Sequence, residues 1–397
     1  MENEITIIKP NRIGESINKE HRLWNLMINL QTGIRYSVGK NTVTPNNNPG
    51  VNNISTKEEE DLQNSIYTTP EPIYFSTKVG SIASSNSSIP FTFTQFAPMA
   101  FDNLRTMFSV DKGDFMLSLC NTIQSSGDNS LRCLPSPGKS GSVFLFSDDM
   151  KFIMKTIPSH ESKLLLDILP DYVNYIKDNL NTLLPKFFGL YKIKQKGYGS
   201  VRIVVLENLF RSPNKIHERY DLKGSLQGRE TLDRATNSNT TLKDMDFRND
   251  KKRIQIQQSQ LLIEQLKKDS NFLSQLNIMD YSLLIGIHKN NININTSTSN
   301  SSNIDSNLII QNEGNSQSVP SLDHISKLFE LDGSVYSKSK EEIYYLGVID
   351  ILVEYTFSKK LAHFIKTIRY GKEQEISTVS PNEYAIRFQK FMESIIE

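Results

Sequence analysis

Cysteine is nearly missing from this chain of 397 residues: only Cys120 and Cys133 occur. Two thiols make no disulfide framework, fit a reducing compartment, and read most simply as buried free cysteines. An excess of charge of either sign is missing too, since the formal net charge is +1 at pH 7. Nucleic acid is therefore not an expected partner, and any basic surface has to be local. No apolar run approaches the roughly 20 residues of a membrane span. The opening Met1-Glu2-Asn3-Glu4-Ile5 lacks a basic region followed by an apolar stretch, so no secretory leader is expected. Membrane contact would have to be peripheral. No internal repeat is found, and the length suits one large two-lobed domain or two ordinary ones.

What is present falls into blocks. Leu23, Leu26, Met27, Leu30 and Ile34 share one helical face, predicting a helix packed on the main domain or on a second copy. Residues 41–68, rich in Asn, Thr, Pro and Glu, and the Ser-rich residues 80–90 read as disordered. Order returns at Phe91, with a helix predicted over 97–108. Strand-like segments follow near 142–147, 151–157 and 201–206, with a helical stretch from about Glu161 to Asn181. That order predicts a small antiparallel sheet carrying one helix. Residues 254–277 form the clearest helix, and the Asn/Ser/Thr-dominated residues 289–320 read as a disordered insertion. The expected units are thus 1–90 (helix and tail), 91–210 (first lobe) and 211–397 (second lobe).

Two carboxylates interrupt apolar runs. Asp280 opens Asp280-Tyr281-Ser282-Leu283-Leu284-Ile285-Gly286, and Asp350 splits Tyr344-Tyr345-Leu346-Gly347-Val348-Ile349-Asp350-Ile351-Leu352. Burying such acids is costly unless they are paired or bind a metal. Far upstream, Gly138-Lys139-Ser140-Gly141-Ser142 predicts a turn whose amides could approach a polyphosphate. It is not a Walker A loop, because Cys133 stands where that motif needs its first glycine. A kinase-type loop followed by a lysine-bearing strand fits better. Alternation puts Ile153, Lys155 and Ile157 on one face, and a lysine there wants an anion such as ATP phosphate. His-Arg-Asp and Asp-Phe-Gly are both absent, which disfavours an ordinary protein kinase. The plainer alternatives are a hairpin turn, a helix cap for Asp280 and a buried ion pair for Asp350.

Four segments together resemble the phosphatidylinositol phosphate kinase family: Gly138 to Ile157, Tyr220-Asp221-Leu222-Lys223-Gly224-Ser225, Ile278-Met279-Asp280-Tyr281-Ser282-Leu283-Leu284, and Val348-Ile349-Asp350-Ile351-Leu352. The resemblance implies an α+β, two-lobed fold, with an antiparallel-sheet first lobe and a mixed second lobe, distantly related to protein kinases. It implies Lys155, Gly138, Ser140, Gly141 and Ser142 at the ATP phosphates, and Asp350 on Mg2+. Asp280 becomes the catalytic carboxylate and Lys223 a lysine near the transferring phosphate. Arg229 is implied at the monophosphate of a phosphoinositide headgroup. Leu206-Glu207-Asn208-Leu209-Phe210 is similar to a hinge, with Asn208 near the adenine, although a strand end plus loop explains it equally well. The helix acid for Lys155 is left open: Glu161 falls early, and the register of relatives offers Lys163 or Leu164.

The segment after Asp350 should select substrate. Leu361, Phe364, Ile365 and Ile368 line one helical face; Lys359, Lys360, His363 and Lys366 gather on the other, as suits an anionic membrane surface. Ala362 and Glu375 to Pro381 resemble the type II group, which phosphorylates phosphatidylinositol 5-phosphate at the 4-hydroxyl. Gly33-Ile34-Arg35-Tyr36-Ser37-Val38-Gly39 instead resembles members that phosphorylate phosphatidylinositol 4-phosphate at the 5-hydroxyl. The expectation is the 4-kinase, with the 5-kinase as alternative and a catalytically weak membrane-binding scaffold as a third reading. The family habit adds a homodimer and a cytoplasmic, membrane-peripheral location, with the nucleus as a further one.

Overall fold

The computed structural model describes residues 14–40, 65–76, 90–120, 131–135, 142–196, 199–232, 234, 240–290, 328–330, 333–355 and 379–397. Most of the two stretches expected to be disordered, the insertion beyond Asn290 and the basic segment after Tyr355 therefore lie outside the described residues.

The first lobe is an eight-stranded antiparallel sheet. Its strands are β1 (Glu15–Ser16), β2 (Ile73–Phe75), β3 (Phe91–Gln95), β4 (Leu131–Pro135), β5 (Val143–Ser147), β6 (Phe152–Ile157), β7 (Phe187–Gln195) and β8 (Gly199–Glu207), in the order β1-β4-β5-β6-β8-β7-β3-β2. Period-two alternation covers both faces. Ile203 and Val205 join one core with Met27, Leu30 and Ile34 of helix α1 (Trp24–Lys40) and with Phe115 and Leu119 of α3 (Lys112–Cys120). Val204 joins the other core with Leu165, Leu169 and Tyr172 of α4 (Ser159–Asp178) and with Phe101 of α2 (Pro98–Met107). The sheet is thus larger than the sequence predicts. The longest strand read only as chain between elements, β7, is buried at seven of its nine positions; only its second half, Tyr191-Lys192-Ile193-Lys194, alternates apolar and polar residues. Helix α1 lies on this sheet, with Gly33 so close to Phe93 that a Cβ would stand 2.1 Å from its ring.

The second lobe is a five-stranded mixed sheet: β9 (Glu218–Leu222), β10 (Leu242–Lys243), β11 (Ser282–Lys289), β12 (Ser334–Tyr336) and β13 (Glu342–Ile349), in the order β10-β9-β11-β13-β12. Only β10 runs parallel to its neighbour. Helices α5 (Asp244–Asn249), α6 (Ser259–Gln275) and α7 (Pro381–Ile395) belong to this lobe. Ser380 and Glu383 close a capping box with Pro381 at the start of α7, and Tyr384, Phe388 and Phe391 pack inward.

The lobes meet where β8 ends. Leu209 and Phe210 press onto the second sheet at two glycines in adjacent strands, Gly347 and Gly286. A Cβ at Gly286 would stand 2.3 Å from the Phe210 ring, and one at Gly347 would stand 3.0 Å from Leu209. These glycines make a dish for the interlobe corner. Gly286→Ala should therefore cost about 1–3 kcal/mol by overpacking. Urea unfolding of the variant should show a lower midpoint, partly restored when Phe210→Leu is added. An unchanged midpoint would contradict this packing.

Candidate active site

Strands β11 and β13 pair regularly from Lys289↔Glu342 to Ser282↔Ile349, and there the ladder opens. Pairing resumes at an isolated bridge between Ile278 and Glu354, with the Met279 amide donating to the Val353 carbonyl at 3.1 Å. Asp280 and Asp350 stand in this gap, one on each strand. Both have left-handed backbones, with φ of 67° and 62°. Aspartate tolerates that region better than the β-branched and aromatic residues around it. Their side chains are 50% and 49% exposed. The sequence suggests two buried charges, whereas the structure shows that only the flanking apolar residues are buried. The strands end where the acids begin.

Each acid has its own lysine. Lys155, on β6 opposite Phe144 and Val204, places Nζ 3.3 Å from Asp350 Oδ1 and 5.7 Å from the centre of the Phe144 ring. Lys223, just past β9, donates to Asp280 Oδ1 at 2.8 Å and to the Asp280 carbonyl at 2.7 Å. The turn holding Lys223 is fixed from below by a fully buried acid, Asp244, which sequence reading overlooked. Its Oδ1 accepts from the amides of Lys223 and Gly224 at 2.9 and 2.7 Å. Its Oδ2 accepts from Arg229 Nε at 2.7 Å. The same guanidinium reaches Asp221 Oδ1 at 2.8 Å. Arg229, expected at the headgroup phosphate, thus has its charge matched by two carboxylates inside the protein. The available clue was Asp244 opening a helix directly after a strand.

Glu161 is the acid that sequence register left unassigned. Helix α4 begins at Ser159, immediately after β6 and Pro158, so Glu161 lies in its first turn. Its carboxyl is raised from the usual range, chiefly by desolvation; Lys155 and His160 pull it down and Asp350 pushes it up. It therefore shares the electrostatic field of Lys155 and Asp350. Lys163 is exposed and Leu164 packs against the core, so neither register alternative supplies an acid.

The remaining expected residues fall in two groups. Ser142 is buried at the start of β5, beside Val143, whose amide donates to Thr156 Oγ1 at 2.8 Å. Asn208 braces the corner: its Nδ2 donates to the Met150 carbonyl, its Oδ1 accepts from the Phe210 amide, and its own amide donates to Lys151. Gly138, Ser140 and Gly141 lie outside the described residues, in the connection between β4 and β5, which pair up to Pro135↔Val143. Lys359, Lys360, Ala362 and Lys366 also lie outside the described residues.

Among the described residues, no group of three or more His, Cys, Asp and Glu side chains could hold a metal. A hard cation that keeps water and phosphate ligands needs only one or two carboxylates, and Asp350 with Glu161 nearby suits such an ion.

The comparisons agree with the motif reading. The sequence model of the family described as Phosphatidylinositol-4-phosphate 5-Kinase matches residues 125–395. A Dictyostelium discoideum protein named a probable phosphatidylinositol phosphate kinase is 42% identical, over 98% of this chain and 60% of its own length. Phosphatidylinositol 4-phosphate 5-kinase 6 of Arabidopsis thaliana is 35% identical, over 96% of this chain and 54% of its own length. Phosphatidylinositol 4-phosphate 5-kinase 1 of Oryza sativa subsp. japonica is 32% identical, with the same 96% and 54% coverage. The chain thus spans little more than half the length of these curated relatives.

The raised Glu161 carboxyl has a consequence for stability. The folded chain holds that proton more tightly than the unfolded chain, so its contribution falls as pH rises from the ordinary 4.5 through the raised value. Glu161→Gln should remove this fall. Urea midpoints of both proteins, followed upward from about pH 4, should show the variant gaining on the wild type as pH increases. Parallel profiles would contradict the shift.

Proposed function

This chain belongs to the phosphatidylinositol phosphate kinase family, and on that premise we propose that it moves the γ-phosphoryl group of ATP to a hydroxyl of a phosphatidylinositol monophosphate, making phosphatidylinositol 4,5-bisphosphate. The observation that carries this reading is the pair of acid–lysine contacts, Asp350–Lys155 and Asp280–Lys223, at one opening in the β11–β13 ladder. Phosphoryl transfer needs cations around a developing anion and a carboxylate on the attacking hydroxyl.

The roles follow from the contacts. Lys155 turns its ammonium from Asp350 toward the ATP phosphates. Asp350 would hold Mg2+, with Glu161 within its electrostatic reach, and the ion would supply charge neutralisation at the phosphates. Asp280 orients the lipid hydroxyl and takes its proton as the oxygen–phosphorus bond forms and the bond to the ADP oxygen breaks. Lys223 holds Asp280 in place through its two hydrogen bonds, and offers its own charge to the moving phosphoryl group. Asp244 and Arg229 hold the Lys223 turn still.

For regiochemistry we favour the 5-hydroxyl of phosphatidylinositol 4-phosphate. The plant relatives bear that name, and Gly33 to Gly39 resembles the same group. This departs from the sequence-based expectation of a 4-kinase, which rests on Ala362 and on Glu375 to Pro381 and remains the second reading. The basic residues Lys359, Lys360 and Lys366 would meet the anionic membrane.

The test is a headgroup-resolved kinase assay on liposomes bearing either monophosphate. Wild type should make the bisphosphate from phosphatidylinositol 4-phosphate. Asp350→Asn and Lys155→Met should each lower turnover on the order of a hundredfold or more. Product from phosphatidylinositol 5-phosphate alone would favour the 4-kinase, and Ala362→Glu should then shift the preference. Nucleotide binding without turnover on any phosphoinositide would overturn the enzyme reading in favour of a scaffold.

A further inference from the structure

Away from the ladder opening, Asp269 of α6 has a side chain with no exposed surface. Its described hydrogen-bond donors carry no charge. Four neutral donors hold it: Tyr175 OH at 2.6 Å, Thr182 Oγ1 at 2.7 Å and Gln265 Nε2 at 2.8 Å reach Oδ1, and the Leu183 amide reaches Oδ2 at 2.8 Å. A carboxylate buried this way survives only while its donors stay in place. Those donors come from three segments: α4, the connection from α4 to β7, and α6 itself.

Two of these arms lead toward the proposed nucleotide and metal residues. Tyr175 belongs to α4, about four helical turns from Glu161 in the first turn of the same helix. Its ring also stacks on Phe272 of α6, with centres 4.1 Å apart, so α4 is held to α6 by ring and hydroxyl together. Leu183, whose amide donates to Asp269, accepts from the Val348 amide at 2.7 Å through its own carbonyl. Val348 lies on β13 two residues before Asp350. One buried carboxylate thus fixes both the helix that brings Glu161 and the strand that leads into Asp350.

We propose that Asp269 is a positioning residue for nucleotide and metal binding, setting the placement of Asp350 and Glu161 around Lys155 through the Leu183–Val348 and Tyr175 arms. The proposal rests on the kinase reading above. The two arms from α4 and the α4–β7 connection reach the Glu161 and Asp350 side, whereas α6 itself runs on toward Asp280 and is left intact when those arms are cut. Loosening the Tyr175 and Thr182 arms should weaken nucleotide binding and spare the lipid side.

The experiment uses Thr182→Val and Tyr175→Phe, each of which removes one hydroxyl and leaves the side-chain bulk, alongside Asp269→Asn. Binding of a non-hydrolysable ATP analogue is measured by calorimetry across a Mg2+ titration. Amide exchange at Val348 is followed by mass spectrometry, and KM is determined separately for ATP and for lipid. The expected result is faster exchange at Val348, a several-fold weaker analogue affinity and a matching rise in KM for ATP, with KM for lipid unchanged. Folded variants with lower unfolding midpoints but wild-type analogue affinity would make Asp269 a stability brace only and overturn the proposal. Even if Asp269→Asn fails to fold, the two hydroxyl deletions decide the question. If the wild-type protein binds no analogue at any Mg2+ concentration, the kinase reading itself is overturned, and this proposal with it.

Discussion

The interrupted pairing between β11 and β13 is the constraint from which the site follows. In an unbroken antiparallel ladder, residues directly opposite share a face and neighbours along a strand alternate. Ser282 and Ile349 are opposite, so a regular continuation would send Asp280 and Asp350 to opposite faces of the sheet. The ladder instead opens after that pair and closes again at Ile278 and Glu354. Left-handed backbones at both aspartates release them from that alternation and leave each carboxylate about half exposed. Two acids at one opening repel each other, and the lysines from β6 and from the turn after β9 offset that repulsion in the absence of substrate.

The rest of the molecule keeps those lysines and acids in register. Lys155 belongs to one sheet and Asp350 to the other, so their contact spans the lobes. Leu209 and Phe210 fill the glycine dish at Gly286 and Gly347, which sets how closely the lobes can approach. Asp244 fixes the Lys223 turn through two backbone amides, and Asp269 ties α4 and the chain beside β13 to α6. Each device is a buried polar or close-packed contact, where small displacements are expensive and therefore few conformations compete.

Much of this was legible in the chain. Lys155, Asp280 and Asp350 stand out because charged residues interrupting apolar patterns are hard to explain by packing alone, whereas Lys223 was placed only by resemblance to the family's motif. The helices α1, α4 and α6 follow from their apolar spacing. Strand β7 was only half legible: Phe187 to Leu190 are buried without alternation, whereas the alternating Tyr191-Lys192-Ile193-Lys194 was overlooked. Glu161 was weighed as the neighbour of Lys155 but left unassigned, because helix α4 starts directly after β6, a geometric fact that motif register cannot supply. The exposure of Asp280 and Asp350 was misjudged because apolar neighbours in sequence do not imply apolar surroundings once a strand ends. Asp269 had a signal that was overlooked: Leu262, Leu266, Leu273 and Leu276 put position 269 in the middle of the apolar face of α6, where a carboxylate needs partners.

The central claim is that the two acid–lysine pairs serve one phosphoryl-transfer site. Anomalous diffraction from crystals grown with Mn2+ and a non-hydrolysable ATP analogue tests it most directly. The account predicts a manganese peak at ligand distance from Asp350, Lys155 Nζ on the phosphates, and the γ-phosphate facing Asp280 and Lys223. An ordered nucleotide with its metal elsewhere, or a γ-phosphate turned away from Asp280, would contradict it.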